Sequence, residues 1–156
     1  MQCDKHIPKM LLESTQLLCN AVGYGMDQLP SALALREGKG IYKHSHTGHP
    51  CSKWTLESKL NWRWLLAHAF GLLGEYKLRF GNKSHKCEEI LLWLRDHEEG
   101  ITLEMPDTDR ITPFTLVMPP EYQAGLTPVL AYRDFYRATK MRFAKWQKGR
   151  PKPEWL

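Results

Sequence analysis

The chain has 156 residues and a mass of 18.2 kDa, with 42% hydrophobic and 25% charged residues. That balance belongs to an ordinary folded domain and excludes disorder, collagen-like repeats and small disulfide scaffolds. The net charge is +5 and the pI about 9.0, but residues 133–152 carry +7 while the rest of the chain carries −2.

At this length one compact core is expected to suffice without disulfides or metal. Cys3, Cys19, Cys51 and Cys87 show no Cys-x-x-Cys spacing and are expected to be free thiols. The N-terminal Met-Gln-Cys-Asp-Lys-His has no apolar signal core, so a cytoplasmic location is expected. The most apolar stretch, Leu60 to Leu73, is interrupted by Asn61, Arg63 and His68. It falls short of the ~20 apolar residues of a membrane span, so no membrane partner is expected.

The first predicted helix runs from about Asp4 to Ala21. Ile7, Met10, Leu11, Ser14, Leu18 and Ala21 recur at helical spacing, and Pro8 is tolerated because it lies in the first turn. Its other face is polar, with Lys5, His6, Lys9, Glu13, Gln16 and Asn20. Gly23, Gly25, Pro30, Gly38 and Gly40 punctuate a following loop, in which Leu29 to Arg36 has the pattern of one or two helical turns.

A second helix is predicted from Pro50 to about Phe80, closed by Gly81 and Asn82. Trp54, Trp62, Trp64 and Phe70, with Leu65, Leu66, Leu72 and Leu73, make it the central apolar element. Gly71 and Gly74 predict a kink or a close approach by another helix. Glu57, Asn61, His68 and Glu75 form one polar stripe, facing either solvent or a pocket.

A third helix is predicted from Ser84, as N-cap, to Arg95. His97 to Pro120, with four prolines, reads as a loop wrapped over the helices. The fourth helix opens on Thr127 and Pro128 and carries an inward stripe of Val129, Tyr132, Tyr136, Thr139, Phe143 and Trp146. Residues 149–156 form an extended basic tail, with Trp155 docked or loose. No segment alternates as a strand. The expected fold is all-α, a single helical domain of about four helices around the central apolar one.

Three constellations could carry chemistry. Lys9 and Glu13, with His6 one turn earlier, set a carboxylate beside an amine, the pairing that imine chemistry on a sugar requires. The simpler reading is a solvated i, i+4 ion pair. The run Tyr42-Lys43-His44-Ser45-His46-Thr47-Gly48-His49-Pro50-Cys51 offers zinc donors. Its spacing matches no common structural zinc site, so phosphate contact by Lys43, His44, His46 and His49 is the favoured reading. Arg133, Arg137 and Lys140 interleave with the aromatic residues of the fourth helix, a mixture suited to phosphates and stacked bases. No phosphate loop, nucleophile elbow or His-Glu-x-x-His pattern occurs, and no cofactor is implied.

One combination points further. Cys3-Asp4-Lys5-His6, Lys9-Met10-Leu11-Leu12-Glu13-Ser14, Tyr42-Lys43, His49-Pro50-Cys51, Trp54, Glu57-Ser58, Asn61-Trp62, Glu75-Tyr76, Arg79-Phe80-Gly81, Met118-Pro119, Tyr122 and Ala131-Tyr132-Arg133 with Tyr136 and Lys140 resemble a family of small phage-encoded proteins. That family is distantly similar to pyrimidine-dimer DNA glycosylases of the endonuclease V type. The closer resemblance spans nearly the whole chain, and the distant one rests on Asp4-x-His6, Glu13 and the helical layout.

The resemblance implies a DNA glycosylase and abasic-site lyase acting on damaged or modified pyrimidines, in the cytoplasm of a bacterial host. An N-terminal amine attacks C1′ in such enzymes, and Glu13 matches the assisting glutamate. Members of the family carry a further stretch ahead of this helix, whereas Met1 stands almost at its start here, and Leu12 replaces the basic residue before the glutamate. Lys9, Lys5 or the terminal amine is then the candidate nucleophile, and His6 the proton relay. The competing expectation is a non-catalytic binder of a nucleotide or nucleic acid, with Glu57, Asn61 and His68 as its pocket wall. A zinc-stabilised accessory protein is the third.

Overall fold

A computed structural model describes residues 2–22, 41–124 and 127–156. The predicted glycine-rich loop with its turns at Leu29 to Arg36, and Met1, lie outside the described residues. Six α-helices and one short 3-10 turn are found among the described residues, and no strand. The helices are α1 (His6–Cys19), α2 (Pro50–Leu56), α3 (Lys59–Arg79), α4 (Glu88–Asp96), α5 (Glu98–Thr102) and α6 (Pro128–Lys140). None of them is long and apolar enough to cross a membrane.

The fold is all-α, and α3 is its centre, as its sequence predicts. Trp62, Leu65, Leu66, Ala69, Leu72 and Leu73 of α3 are buried against Ile7, Leu11 and Leu18 of α1 and Ile90, Leu91 and Leu94 of α4. Trp62 is wholly covered and its indole N–H donates to the Leu18 carbonyl at 3.3 Å. Packing of these aliphatic and aromatic groups supplies most of the driving force for assembly.

The predicted helix from Pro50 to Phe80 is two helices, with a break at Glu57 and Ser58. Ser58 is extended (φ −157°, ψ 160°) and its hydroxyl accepts from the Asn61 amide at 3.2 Å. This is an N-cap that periodicity alone concealed, because apolar residues continue on both sides of it. The far end is as predicted: Gly81 (φ 74°) and Asn82 (φ 58°) turn left-handed after Phe80, and the Asn82 amide returns to the Lys77 carbonyl at 2.7 Å.

Gly71 and Gly74 do not mark a close approach. A Cβ at either would meet no other atom within 4 Å. The predicted third helix starts later than expected, at Glu88 rather than near Ser84, because His85 to Cys87 first form a turn in which the Glu88 amide bonds the His85 carbonyl at 2.9 Å. The region expected to be loop from His97 holds α5, which buries Ile101 and Thr102.

Beyond α5 the chain does wrap over the helices. The Pro106 carbonyl accepts from the Lys59 amide at 3.0 Å, the Thr112 carbonyl accepts from the Trp54 indole at 3.2 Å, and Phe114 packs on Trp54 and Trp64. The strap then reaches α6, where the Tyr132 hydroxyl donates to the Thr115 carbonyl at 3.0 Å.

Thr127 caps α6 with Pro128 in its first turn, as predicted. The helix stops at Lys140, however, so Phe143 and Trp146 are not on it, and Val129 and Tyr132 of the expected inward stripe are exposed. Ala131 alone is fully buried there. The tail after Gly149 is non-helical, and Trp155 is docked edge-on against Tyr136 at 5.9 Å.

Candidate functional site on the first helix

The polar face of α1 is where separate sequence signals meet. Lys9 and Glu13 pair at 3.4 Å with side chains 66% and 43% exposed. One turn earlier the His6 ring lies edge-on to Tyr136 of α6 at 5.4 Å and to Phe143 at 5.3 Å. Burial among those rings holds the His6 imidazole below its ordinary value of 6.5, and the nearby charges of Lys140 and Lys9 push it further down against the opposing pull of Glu13. A histidine so placed is neutral at pH 7 and can accept a proton.

The same face continues toward α2. Burial and then the Glu13 carboxylate raise the Cys51 thiol, and the Tyr132 phenol of α6 is raised by burial, against the lowering hydrogen bond from the Val117 amide, with Cys51 adding to the rise. The Glu13 carboxylate thus acts on both Cys51 of α2 and His6 of its own helix. The cations Lys5, Lys9 and Lys140 surround His6, with Glu13 as the one acid acting on it among the described residues.

The histidine-rich loop is tethered to the fold at several points. His44 Nε2 meets the Val22 carbonyl at 2.6 Å, and His49 Nδ1 accepts the Cys51 amide as the N-cap of α2. His46 adopts a left-handed backbone (φ 52°), and its carbonyl accepts from Ser52 Oγ at 2.8 Å. The loop is anchored by Asn20, whose amide donates to the Ser45 carbonyl at 3.0 Å and accepts from the Ser45 amide at 3.0 Å. Asn20, the C-cap of α1, is fully buried, although in the sequence it reads as part of the first helix's polar face. Lys43, His44, His46 and His49 are nonetheless all exposed. Among the described residues no group of three or more His, Cys, Asp or Glu is placed to hold a metal.

The predicted polar stripe is divided: Glu57 closes α2, and Asn61, His68 and Glu75 lie on α3. Asn61 is wholly buried and saturated: its amide donates to the Trp54 carbonyl at 2.8 Å and to Thr112 Oγ1 at 2.7 Å, and its oxygen accepts from the Thr112 amide at 3.1 Å. Glu57 accepts from the same Thr112 hydroxyl at 2.8 Å. His68 stacks on Trp64 at 5.2 Å with 7° between the ring planes, and burial lowers its pKa. Glu75 belongs to a separate ionic cluster with Arg79 and Arg150. No hydrogen bond, ion pair or ring contact joins these four residues to His6 or Glu13 among the described residues. A 3.6-residue period run through the break at Glu57 and Ser58 places them on one side of a single helix, but it shows neither that break nor which strap covers that side.

Comparison of the chain with models of known families, with curated proteins and with solved structures finds no match. The chemistry of the α1 face therefore has to be read from its own residues. The basic residues flanking it divide into two kinds. Arg137 is engaged by Asp134 at 2.5 Å and by the Trp155 carbonyl, whereas Arg133 and Lys140 meet no carboxylate among the described residues and lie over the Trp155 and Phe135 rings.

Proposed function

We propose that the α1 face carrying His6, Lys9 and Glu13 is the reacting face of a DNA-acting protein, a glycosylase and abasic-site lyase for damaged or modified pyrimidines. The observation that supports this reading is the convergence of an amine, a carboxylate and a neutral histidine beneath Lys5 and Lys140. Cations beside such a group suit the phosphates that flank an extruded nucleotide, and extrusion costs least at a damaged pair.

The amine attacks C1′ as the bond from C1′ to the base breaks, and the base leaves with a proton. Of the two protons on the attached nitrogen, one passes by way of His6 to the departing base and the other goes to O4′ as the sugar ring opens, leaving an imine that water later hydrolyses. Glu13 stabilises the positive charge that develops at C1′ and the imine, and His6 takes up the proton released from nitrogen.

A second reading, a binder that holds a nucleotide or nucleic acid without turnover, draws on one specific observation. Lys9 is two-thirds exposed and already paired with Glu13, which equally suits a plain phosphate contact. Borohydride trapping on duplex DNA containing an abasic site, or irradiated with ultraviolet light, separates the two. A covalent band that Lys9→Arg abolishes and Glu13→Gln weakens is the expected result. A band that persists in Lys9→Arg but vanishes on blocking the terminal amine moves the nucleophile there. No band, with binding retained, overturns catalysis in favour of the binder.

A further inference from the structure

Residues after α6 do not form a loose tail. The Asp4 amide donates to the Lys145 carbonyl at 2.9 Å, the Gln147 amide donates to Asp4 Oδ2 at 2.7 Å, and the Trp146 indole donates to the Gln2 carbonyl at 3.1 Å. Arg150 then pairs with Glu75 at 2.6 Å. This segment is thereby fastened across the start of α1 and the end of α3.

The fastened segment is densely basic, and most of its charge is uncompensated. Lys140, Arg142, Lys145, Lys148 and Lys152 meet no carboxylate among the described residues, nor does the adjacent Lys5. Holding like charges on one ordered surface costs self-repulsion that a polyanion would relieve.

Aromatic rings sit between those charges. Lys5 Nζ lies 5.1 Å and Arg142 Cζ 5.9 Å from the centre of the Phe143 ring. Lys148 Nζ lies 5.0 Å from the centre of Phe80, which stacks on Tyr76 at 4.8 Å. Both phenylalanines are only half-buried. A cation over an exposed ring is weakly held, so it can swing to a phosphate and leave the ring face to a base.

We infer that the strap from Lys140 to Lys152, with Lys5 and Phe80, is a binding surface for an unpaired stretch of nucleic acid. Each nucleotide of a single strand offers both a phosphate for the cations and a free base face for the rings, whereas a duplex hides its base faces and would leave Phe143 and Phe80 idle. The inference shares with the function proposed above only the premise that the polyanion is nucleic acid. It needs neither Glu13 nor an imine.

The test is equilibrium fluorescence anisotropy of the full chain with undamaged labelled oligonucleotides: a single-stranded DNA, the same sequence as RNA, and the DNA duplex, across a salt series without reductant. The single strands are expected to bind tighter than the duplex. Phe143→Leu, which keeps an apolar side chain but removes the π face, is expected to weaken single-strand binding about tenfold, with Phe143→Tyr restoring it. Arg142→Ala with Lys148→Ala is expected to reduce the salt slope by about 0.7 per cation removed. Equal or tighter binding of the duplex, or indifference to Phe143→Leu in a variant with unchanged circular dichroism, overturns the inference. A clear preference for RNA upholds the surface but tells against DNA as the substrate. Failure of borohydride trapping leaves every one of these readings in place, so the two ideas fail separately.

Discussion

Arg79 and Asp4, seventy-five positions apart, pair at 3.1 Å where the end of α3 meets the approach to α1. The Arg79 side chain is fully buried and also contacts Glu75 at 2.9 Å and the Gln2 carbonyl at 2.9 Å. Asp4 spends its second oxygen on the Gln147 amide. One guanidinium thus ties together the N-terminal segment, the C-terminal strap and the central helix.

Removing that guanidinium should be costly. Arg79→Met leaves the Asp4 carboxylate buried without its partner, and breaking a buried pair in this way typically costs about 3–5 kcal/mol. Urea unfolding followed by circular dichroism measures it. Adding Asp4→Asn to the same chain should recover part of the loss, since the orphaned charge is then gone. A loss under about 1 kcal/mol, the range of surface pairs, would show that solvent reaches the cluster.

A second structural hinge is Asn61. Asn61→Ala strands the Thr112 amide and the Trp54 carbonyl together, and losing buried partners of this kind costs about 1–3 kcal/mol for each group left unsatisfied. Because the Trp54 indole bonds the Thr112 carbonyl and packs against Trp64 and Phe114, release of the strap should also shift tryptophan emission to the red in the folded state. An unchanged spectrum with a small stability loss would mean that Phe114 alone holds the strap.

How much of this was legible beforehand depends on the reach of each signal. Leu11, Leu18, Leu65, Leu66 and Leu91 announce their helices and their buried faces, because helical period and burial are local properties. The cap at Thr127 and the stop at Gly81 are equally local. Asn20 reads as a surface residue and Asn61 as part of a stripe facing solvent or a pocket, since nothing near them in sequence names the carbonyls of Ser45 and Trp54 or the backbone of Thr112 that saturate them. The meeting of His6 with Tyr136 and Lys140 likewise needs a tertiary crossing that spacing does not encode. Both ends of that crossing were nonetheless visible as separate candidates, because each carries an unusual local mixture of cations and aromatic rings.

Stability should fall in two stages on acidification. His6, His68 and His85 are all held below 6.5, chiefly by burial, with Lys140 and Lys9 adding at His6 and Lys86 at His85. Each therefore binds its proton more tightly once unfolded, so stability is full above pH 6.5, declines as pH falls through 6.5, and levels below the folded values. Burial pushes the Glu75 carboxyl up, but hydrogen bonds from Arg150 and Arg79 outweigh it and hold the group below 4.5. Its contribution is present above pH 4.5 and is lost as pH falls through its folded value. His68→Phe keeps a ring on Trp64 and removes one titration, so the urea midpoint should decline less between pH 6.5 and 4.5 at constant ionic strength. An unaltered slope would mean that His68 is protonated without penalty in the fold.

The thiols offer a direct reading of the α1 face. Cys3, Cys19 and Cys87 are fully buried, and burial pushes the Cys19 thiol up to about 12, so none of them should react with iodoacetamide before unfolding. Cys51 is partly exposed, and its thiol is raised first by burial and then by Glu13. Because the thiolate is the attacking species, native protein should label at Cys51 alone and more slowly than a free thiol. Glu13→Gln removes the negative charge that opposes ionisation and should speed that labelling by roughly a few-fold at constant pH, while Glu57→Gln, at the end of α2 beside Thr112, should leave it unchanged. Peptide mapping of the labelled chain against time measures both. Equal rates in the wild-type chain and Glu13→Gln would show that the carboxylate faces away from α2, and the reacting face would then shrink to His6, Lys9 and the cations of α6.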